Sequence, residues 1–139
     1  MNSLDYRGRT VVLTGAAGGI GRGLAQAFAE SGATLELLDR DAAALERLVA
    51  ELAPLVPARG TPLDLADHAA VESYAHDLAA RDAVVDLLIN NAGVEYPTPL
   101  ADSGIDADRR WAALLDNNAA SMQRLTHALC CRACRPAPA

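Results

Sequence analysis

Apolar residues fall in two rhythms along the chain. Thr10–Thr14 (TVVLT), Thr34–Asp39 (TLELLD) and residues 84–90 (VVDLLIN) are short, nearly continuous apolar runs, the pattern of parallel strands covered on both faces. Between the first two, Ile20, Leu24, Ala27 and Phe28 recur at helical spacing over 20–31, and Gly32 follows as a stop signal. Residues 41–55 read as a second helix that Asp41 can cap and Pro54 limits. A weaker third strand lies around ARGTPLDLAD (58–67). Pro62 cannot donate to a ladder, so this strand belongs at the outer edge of a sheet.

Asp67 can cap a third helix running to about residue 82. After the fourth strand, the glycines and prolines of 91–104 mark a loop. From 107 to 129, Trp111, Leu114, Leu115, Asn118, Met122 and Leu125 recur at helical intervals and predict one long final helix. Pro136 and Pro138 end regular structure. Alternating strands and helices predict an α/β fold, with a parallel sheet covered on both faces and right-handed crossovers. One domain over 1–129 and an irregular tail over 130–139 are expected, with no linker and no internal repeat.

A chain of 139 residues has room for one core. Its composition, 51% hydrophobic and 22% charged, is that of a globular domain. The net charge of −6, with charges scattered, argues against a nucleic-acid partner, whose phosphates demand clustered Lys and Arg. No apolar run is long enough for a membrane span, and the first residues lack a secretory pattern, so a cytoplasmic location is expected. Every non-histidine basic residue is Arg; there is no Lys.

TGAAGGIG (14–21) lies between the first strand and the first helix. A sharp turn whose backbone approaches a ligand's phosphates needs residues without Cβ, and the helix start offers free N–H groups and a positive dipole end. This is an anion cradle, although its spacing is not G-x-G-x-x-G. Asp39 ends the second strand, 18 residues after Gly21, near the offset at which dinucleotide folds place an acid on the adenosine ribose. A carboxylate there repels a 2′-phosphate and favours NAD over NADP. Arg40 beside it points the other way, since a guanidinium receives phosphate well.

These residues resemble the short-chain dehydrogenase/reductases. TGAAGGIG matches the family's T-G-x-x-x-G-x-G motif, and NNAG (90–93), at the end of a fourth strand, matches its second hallmark. The resemblance runs from about residue 4 to 129. It implies a Rossmann-type doubly wound sheet, here incomplete at about four strands in the order 3-2-1-4, and an NAD(P)-dependent oxidoreductase moving hydride between cofactor and a small alcohol or carbonyl. By the same resemblance, Gly15, Gly19, Ile20 and Gly21 line the pyrophosphate, Asp39 the ribose, and Asp64 and Leu65 (in LDLAD) the adenine, with Arg40 beside Asp39 counted among the cofactor-binding residues. Asn91, Ala92 and Gly93 fall at the inner ribose. Asn118, seven positions after Trp111, corresponds to a catalytic-group Asn that holds a helix kink and a relay water; Asn117 takes its place if the register slips by one. Family members are often dimers or tetramers, which leaves a homo-oligomer open.

The resemblance also requires a Ser and a Tyr-x-x-x-Lys, because the proton transfer needs an acid/base tuned by a neighbouring cation. Tyr6, Tyr74 and Tyr96 are followed four positions on by Thr10, Leu78 and Leu100, so none starts such a motif. A chain inactive by itself is therefore expected, with a stand-alone NAD-binding regulatory module as the alternative. Cys130, Cys131 and Cys134 crowd the tail, but zinc needs four ligands, and only His127 is near. A redox pair belongs at a helix start rather than a helix end. No metal site is expected. The Cys-, Arg-, Pro- and Ala-rich tail instead reads as the out-of-frame or prematurely ended remnant of a longer enzyme.

Overall fold

The computed structural model describes residues 5–95 and 105–132. Strands β1 (Thr10–Thr14) and β2 (Thr34–Asp39) form the middle of a four-stranded parallel sheet. β3 (Ala58–Pro62) lies outside β2 and β4 (Leu87–Ile89) outside β1, which gives the order β3-β2-β1-β4. Pro62 is thus on an edge strand, where its missing N–H costs no ladder bond.

Alternation along the central strands divides the core. Val11, Leu13, Leu35 and Leu37 face α1 (Gly19–Glu30) and α2 (Ala42–Leu52), meeting Ala25, Ala29, Leu45, Leu48 and Leu52. Val12 and Leu38 face α3 (His68–Ala80) and α5 (Ser121–Arg132), meeting Val71, Tyr74, Leu78, Leu125 and Leu129. Each fully buried leucine contributes about 1.5–3 kcal/mol. One polar residue interrupts the second layer. Glu36 on β2, 5% exposed, is held by Arg81 at 3.0 Å, and Arg81 also reaches Asp77 at 3.0 Å. These carboxylates raise the guanidinium's pKa, chiefly through the hydrogen bond to Glu36.

Both expected caps are present: Asp41 accepts from the Ala44 N–H at 2.9 Å, and Asp67 from the Ala70 N–H at 3.1 Å. α1 differs in which face it buries. Gly21, Ala25 and Ala29 form its inner line, while Ile20 is 76% exposed. Small residues let the helix lie close to the sheet, and Ile20 falls outside that contact.

β4 is shorter than the apolar run 84–90 and only half-buried. The chain bends at Asp86, whose carboxylate accepts from the Thr10 N–H at 3.0 Å and from Arg9 at 2.9 Å. Beyond it, three residues pair with β1, Val11 opposite Leu87 through Leu13 opposite Ile89. The other edge of β4 has no partner among the described residues.

The long final helix is two helices. α4 (Ile105–Leu115) passes through a π-helical turn (Asp116–Ala120) into α5, which runs three residues past the expected end at 129. At the turn, Asn117 Nδ2 donates to the Ala113 carbonyl at 2.8 Å, and the Ser121 hydroxyl donates to the Asn117 carbonyl. Side chains bonding back to the preceding turn loosen a helix's own ladder. Of the apolar residues recurring here, Leu125 is buried, whereas Trp111, Leu115 and Met122 are exposed. The tail beyond 132, with Cys134, and the loop residues 96–104 lie outside the described residues.

Candidate functional site

From β1 the chain moves one way to β2 and β3, then returns to place β4 on the other side. The loops after β1 and β4 therefore diverge and leave a crevice at the carboxyl ends of the strands, where open α/β sheets bind ligands. A cleft of about 540 Å³ occupies this position. It is lined from every strand end: Gly15, Gly19, Ile20 and Gly21 after β1, Asp39 and Arg40 after β2, Asp64 and Leu65 after β3, Asn91, Ala92 and Gly93 after β4. All eleven residues singled out for cofactor contact in the sequence thus border one space. Asn118 is the exception. Asn117 lines the cleft and Asn118 does not.

Two glycines hold the loop together and one faces open space. Gly15 has φ +63°, and a Cβ there would sit 2.8 Å from the Ala92 Cα. A Cβ on Gly21 would lie 2.0 Å from the Gly15 carbonyl oxygen. A side chain at either position would force the backbone to shift. A Cβ on Gly19 would meet no protein atom within 4 Å and would enter the cleft. α1 begins beside it with Gly18 as N-cap, without a side-chain cap and without an acidic residue in the first turn. Its first N–H groups and positive dipole end are therefore left for an anion.

Asp39 has two occupations. One carboxylate oxygen accepts from the Ala17 N–H at 2.9 Å and the other from the Asp41 N–H at 3.0 Å, so it ties the glycine loop to the end of β2. Arg40 is exposed at the rim and makes no ion pair among the described residues. Asp64 accepts from the Ala66 N–H at 2.9 Å, which turns the chain at Leu65.

The loops after β1 and β4 are stitched by Thr14, which ends β1 and opens TGAAGGIG but has no site role assigned from the sequence. Its buried Oγ1 accepts from the Asn91 and Ala92 N–H groups at 3.0 and 2.9 Å and donates to the Ile89 carbonyl at 3.3 Å. Asn91 Nδ2 donates in return to the Thr14 and Gly15 carbonyls, both at 3.1 Å. The hydroxyl residue with which the motif itself opens is the signal available. Asn118 then fixes the far wall: Oδ1 accepts from the Val94 N–H at 2.8 Å and Nδ2 donates to its carbonyl at 2.9 Å.

No group of three or more His, Cys, Asp or Glu suited to a metal occurs among the described residues, and Cys130 is an exposed free thiol. No helix among them is long and apolar enough to cross a membrane.

The fold and its cleft define an open parallel α/β domain with a crevice at the sheet's switch point. The family model described as short chain dehydrogenase matches residues 9–132, and the chain belongs to that family. It is 38% identical over 130 residues to dehydrogenase/reductase SDR family member 7B of Bos taurus, covering 88% of this chain and 39% of that one. Among solved structures, the Pseudomonas aeruginosa RhlG/NADP active-site complex superposes with a TM-score of 0.83 at 27% identity, covering 94% of this chain and 50% of that one. NAD+-bound xylitol dehydrogenase gives 0.83 at 28% identity, covering 91% and 48%. The chain therefore spans half or less of the length of these relatives.

Proposed function

We propose that the cleft binds a nicotinamide adenine dinucleotide, with NAD preferred to NADP, and that this chain is the cofactor-binding part of a short-chain dehydrogenase/reductase acting on a small alcohol or carbonyl. The observation carrying this reading is Gly19, whose missing side chain leaves open space in front of an uncapped helix start. The cleft's volume also suits a ligand of this size. In this reading the binding domain, expected over 1–129, extends through α5 to Arg132.

The bound cofactor would supply or accept the hydride that interconverts alcohol and carbonyl. The N–H groups at Gly19, Ile20 and Gly21 would hold its pyrophosphate, and Gly15 lets the loop turn beneath them. Asp39 would accept from ribose hydroxyls with the lone pairs that Ala17 and Asp41 leave free, and Asp64 and Leu65 would border the base. Asn91, Ala92 and Gly93 would flank the inner ribose. Asn118 keeps Val94, and so the wall beside Gly93, in place.

This chain does not supply the proton transfer. It has no Lys to tune a phenol. Tyr74 is buried in the second core layer, where burial pushes its phenol far above the ordinary value, and its hydroxyl has no partner among the described residues. Tyr6 packs edge-on against Phe28 at 5.0 Å. Binding without turnover follows. Calorimetric titration of the 139-residue chain with NAD should show one saturable site, and NADH absorbance should stay flat with alcohol substrates. NAD-dependent turnover by the purified chain would overturn the second statement, and the absence of saturable binding the first.

A further inference from the structure

Arg124 on α5 joins a residue of the cleft wall to the π-helical turn, two places distant in sequence. Its Nη1 lies 3.0 Å from Asp116 Oδ1, and its Nη2 donates to the Leu65 carbonyl at 3.4 Å. The side chain is 17% exposed, and its Nε is enclosed without a partner among the described residues. Among the described residues the head is thus anchored by the two Nη contacts alone. Leu65 lines the cleft on the β3 side, while Asp116 opens the π-helical turn that carries Asn117 on the cleft and Asn118 on Val94. A planar, permanently charged fork holds two acceptors at a fixed separation, as a single ammonium group does not.

We propose that Arg124 is a positioning residue that couples the base end of the cleft, through the Leu65 carbonyl, to the π-helical turn, through Asp116. The proposal rests on the reading of Leu65 as bordering the adenine. Asp116 carries half of the coupling although it does not itself line the cleft. Neutralising it removes the charge that balances a largely buried guanidinium, so the head shifts and its hold on Leu65 slackens. The effect is then felt 51 positions away in sequence at a residue that Asp116 never touches.

The test uses the 139-residue chain with Asp116→Asn, Arg124→Met and Arg124→Lys. Without ligand, amide exchange is followed at Ala66 and Asp67, whose N–H groups bond to Asp64. AMP, a probe of the base end alone, is titrated alongside. Asp116→Asn and Arg124→Met should each quicken exchange at these amides at least threefold and weaken AMP by a similar factor, with Arg124→Lys restoring part of both. Unchanged exchange, or quickened exchange with unaltered AMP affinity, overturns the coupling. If Arg124→Met fails to fold, Asp116→Asn decides, since it preserves volume on the exposed side of the pair. A wild-type chain that binds no AMP would count against the cofactor reading instead, and the exchange rates would still decide the coupling.

Discussion

The side-chain amide of Asn118 closes a two-bond ring on the main chain of Val94, accepting from its N–H at 2.8 Å and donating to its carbonyl at 2.9 Å. An amide so placed does for the loop after β4 what a neighbouring strand would do. The ring also draws Asn118 away from the helix ladder at the point where the helix widens into its π-helical turn. Asn118→Ala should free both Val94 groups to solvent at a cost of about 1 kcal/mol, the net worth of an exposed hydrogen bond or two. Amide exchange at Val94 should quicken roughly fivefold. Asn118→Asp keeps the acceptor for the Val94 N–H but cannot donate to its carbonyl, so it should do part of this harm; full protection in that variant would show that the donated bond is idle.

Gly19 and Gly21 are two positions apart and should respond oppositely to the same change. Gly21→Ala forces a methyl against the Gly15 carbonyl, and overpacking of this kind costs about 1–3 kcal/mol or more. Its melting temperature should fall by several degrees. Gly19→Ala should melt at or slightly above the wild-type temperature, since alanine suits a helix start better than glycine, while NAD affinity falls at least tenfold. Equal melting losses for the two variants would contradict the placement of Gly19 on open space.

Asp39 is expected to act twice, on the ribose and on the Ala17 N–H. Asp39→Ala should therefore weaken both dinucleotides through the loosened loop and NAD further through the lost ribose contact. Asp39→Asn removes the charge but keeps an acceptor for only one of the Ala17 and Asp41 N–H groups; both dinucleotides should weaken somewhat, and NADP should gain relative to NAD. Arg40→Ala should remove most of that gain, as measured by competitive titration. An unchanged NAD to NADP ratio across the three variants would sink the ribose assignment.

Tyr74 gives a pH dependence of definite sign. Burial raises the phenol's pKa in the folded chain above the roughly 10 of an unfolded tyrosine. The folded state thus keeps a proton that the unfolded state releases, so its contribution is full below that unfolded value and is lost as pH rises past it. Tyr74→Phe removes this titration and an unpartnered buried hydroxyl, and its alkaline loss of stability should be shallower, with neutral-pH stability equal or higher. A steeper alkaline loss in the variant, followed by urea unfolding between pH 9 and pH 11, would contradict the sign.

The central strands and the two capping aspartates were legible because each follows from local chemistry: Val11 to Leu13 form a run that only a covered strand tolerates, and Asp41 and Asp67 precede helices with an acceptor in reach. The cleft was legible because its lining residues sit at strand ends, which the strand pattern already located. What periodicity did not yield was orientation. Ile20 and Leu24 share a helical stripe with Phe28, yet close packing selects the glycine and alanine line beside it. The break at Asp116–Ala120 depends on Val94, Ala113 and Ser121 together, and the first of these is 24 positions from Asn118 in sequence. The Thr14 stitch likewise joins residues more than seventy positions apart. Such long-range bonds leave no periodic trace.

The most direct test of the account is a titration of the isotopically labelled 139-residue chain with NAD, read by amide chemical shifts. Saturable shifts should be confined to the rim formed by residues 15–21, Asp39 to Asp41, Asp64 and Leu65, and 91–94, with the amides of β3 and the solvent side of α2 unmoved. A spectrum that does not change, or shifts scattered away from that rim, would contradict the claim that this cleft is a dinucleotide site.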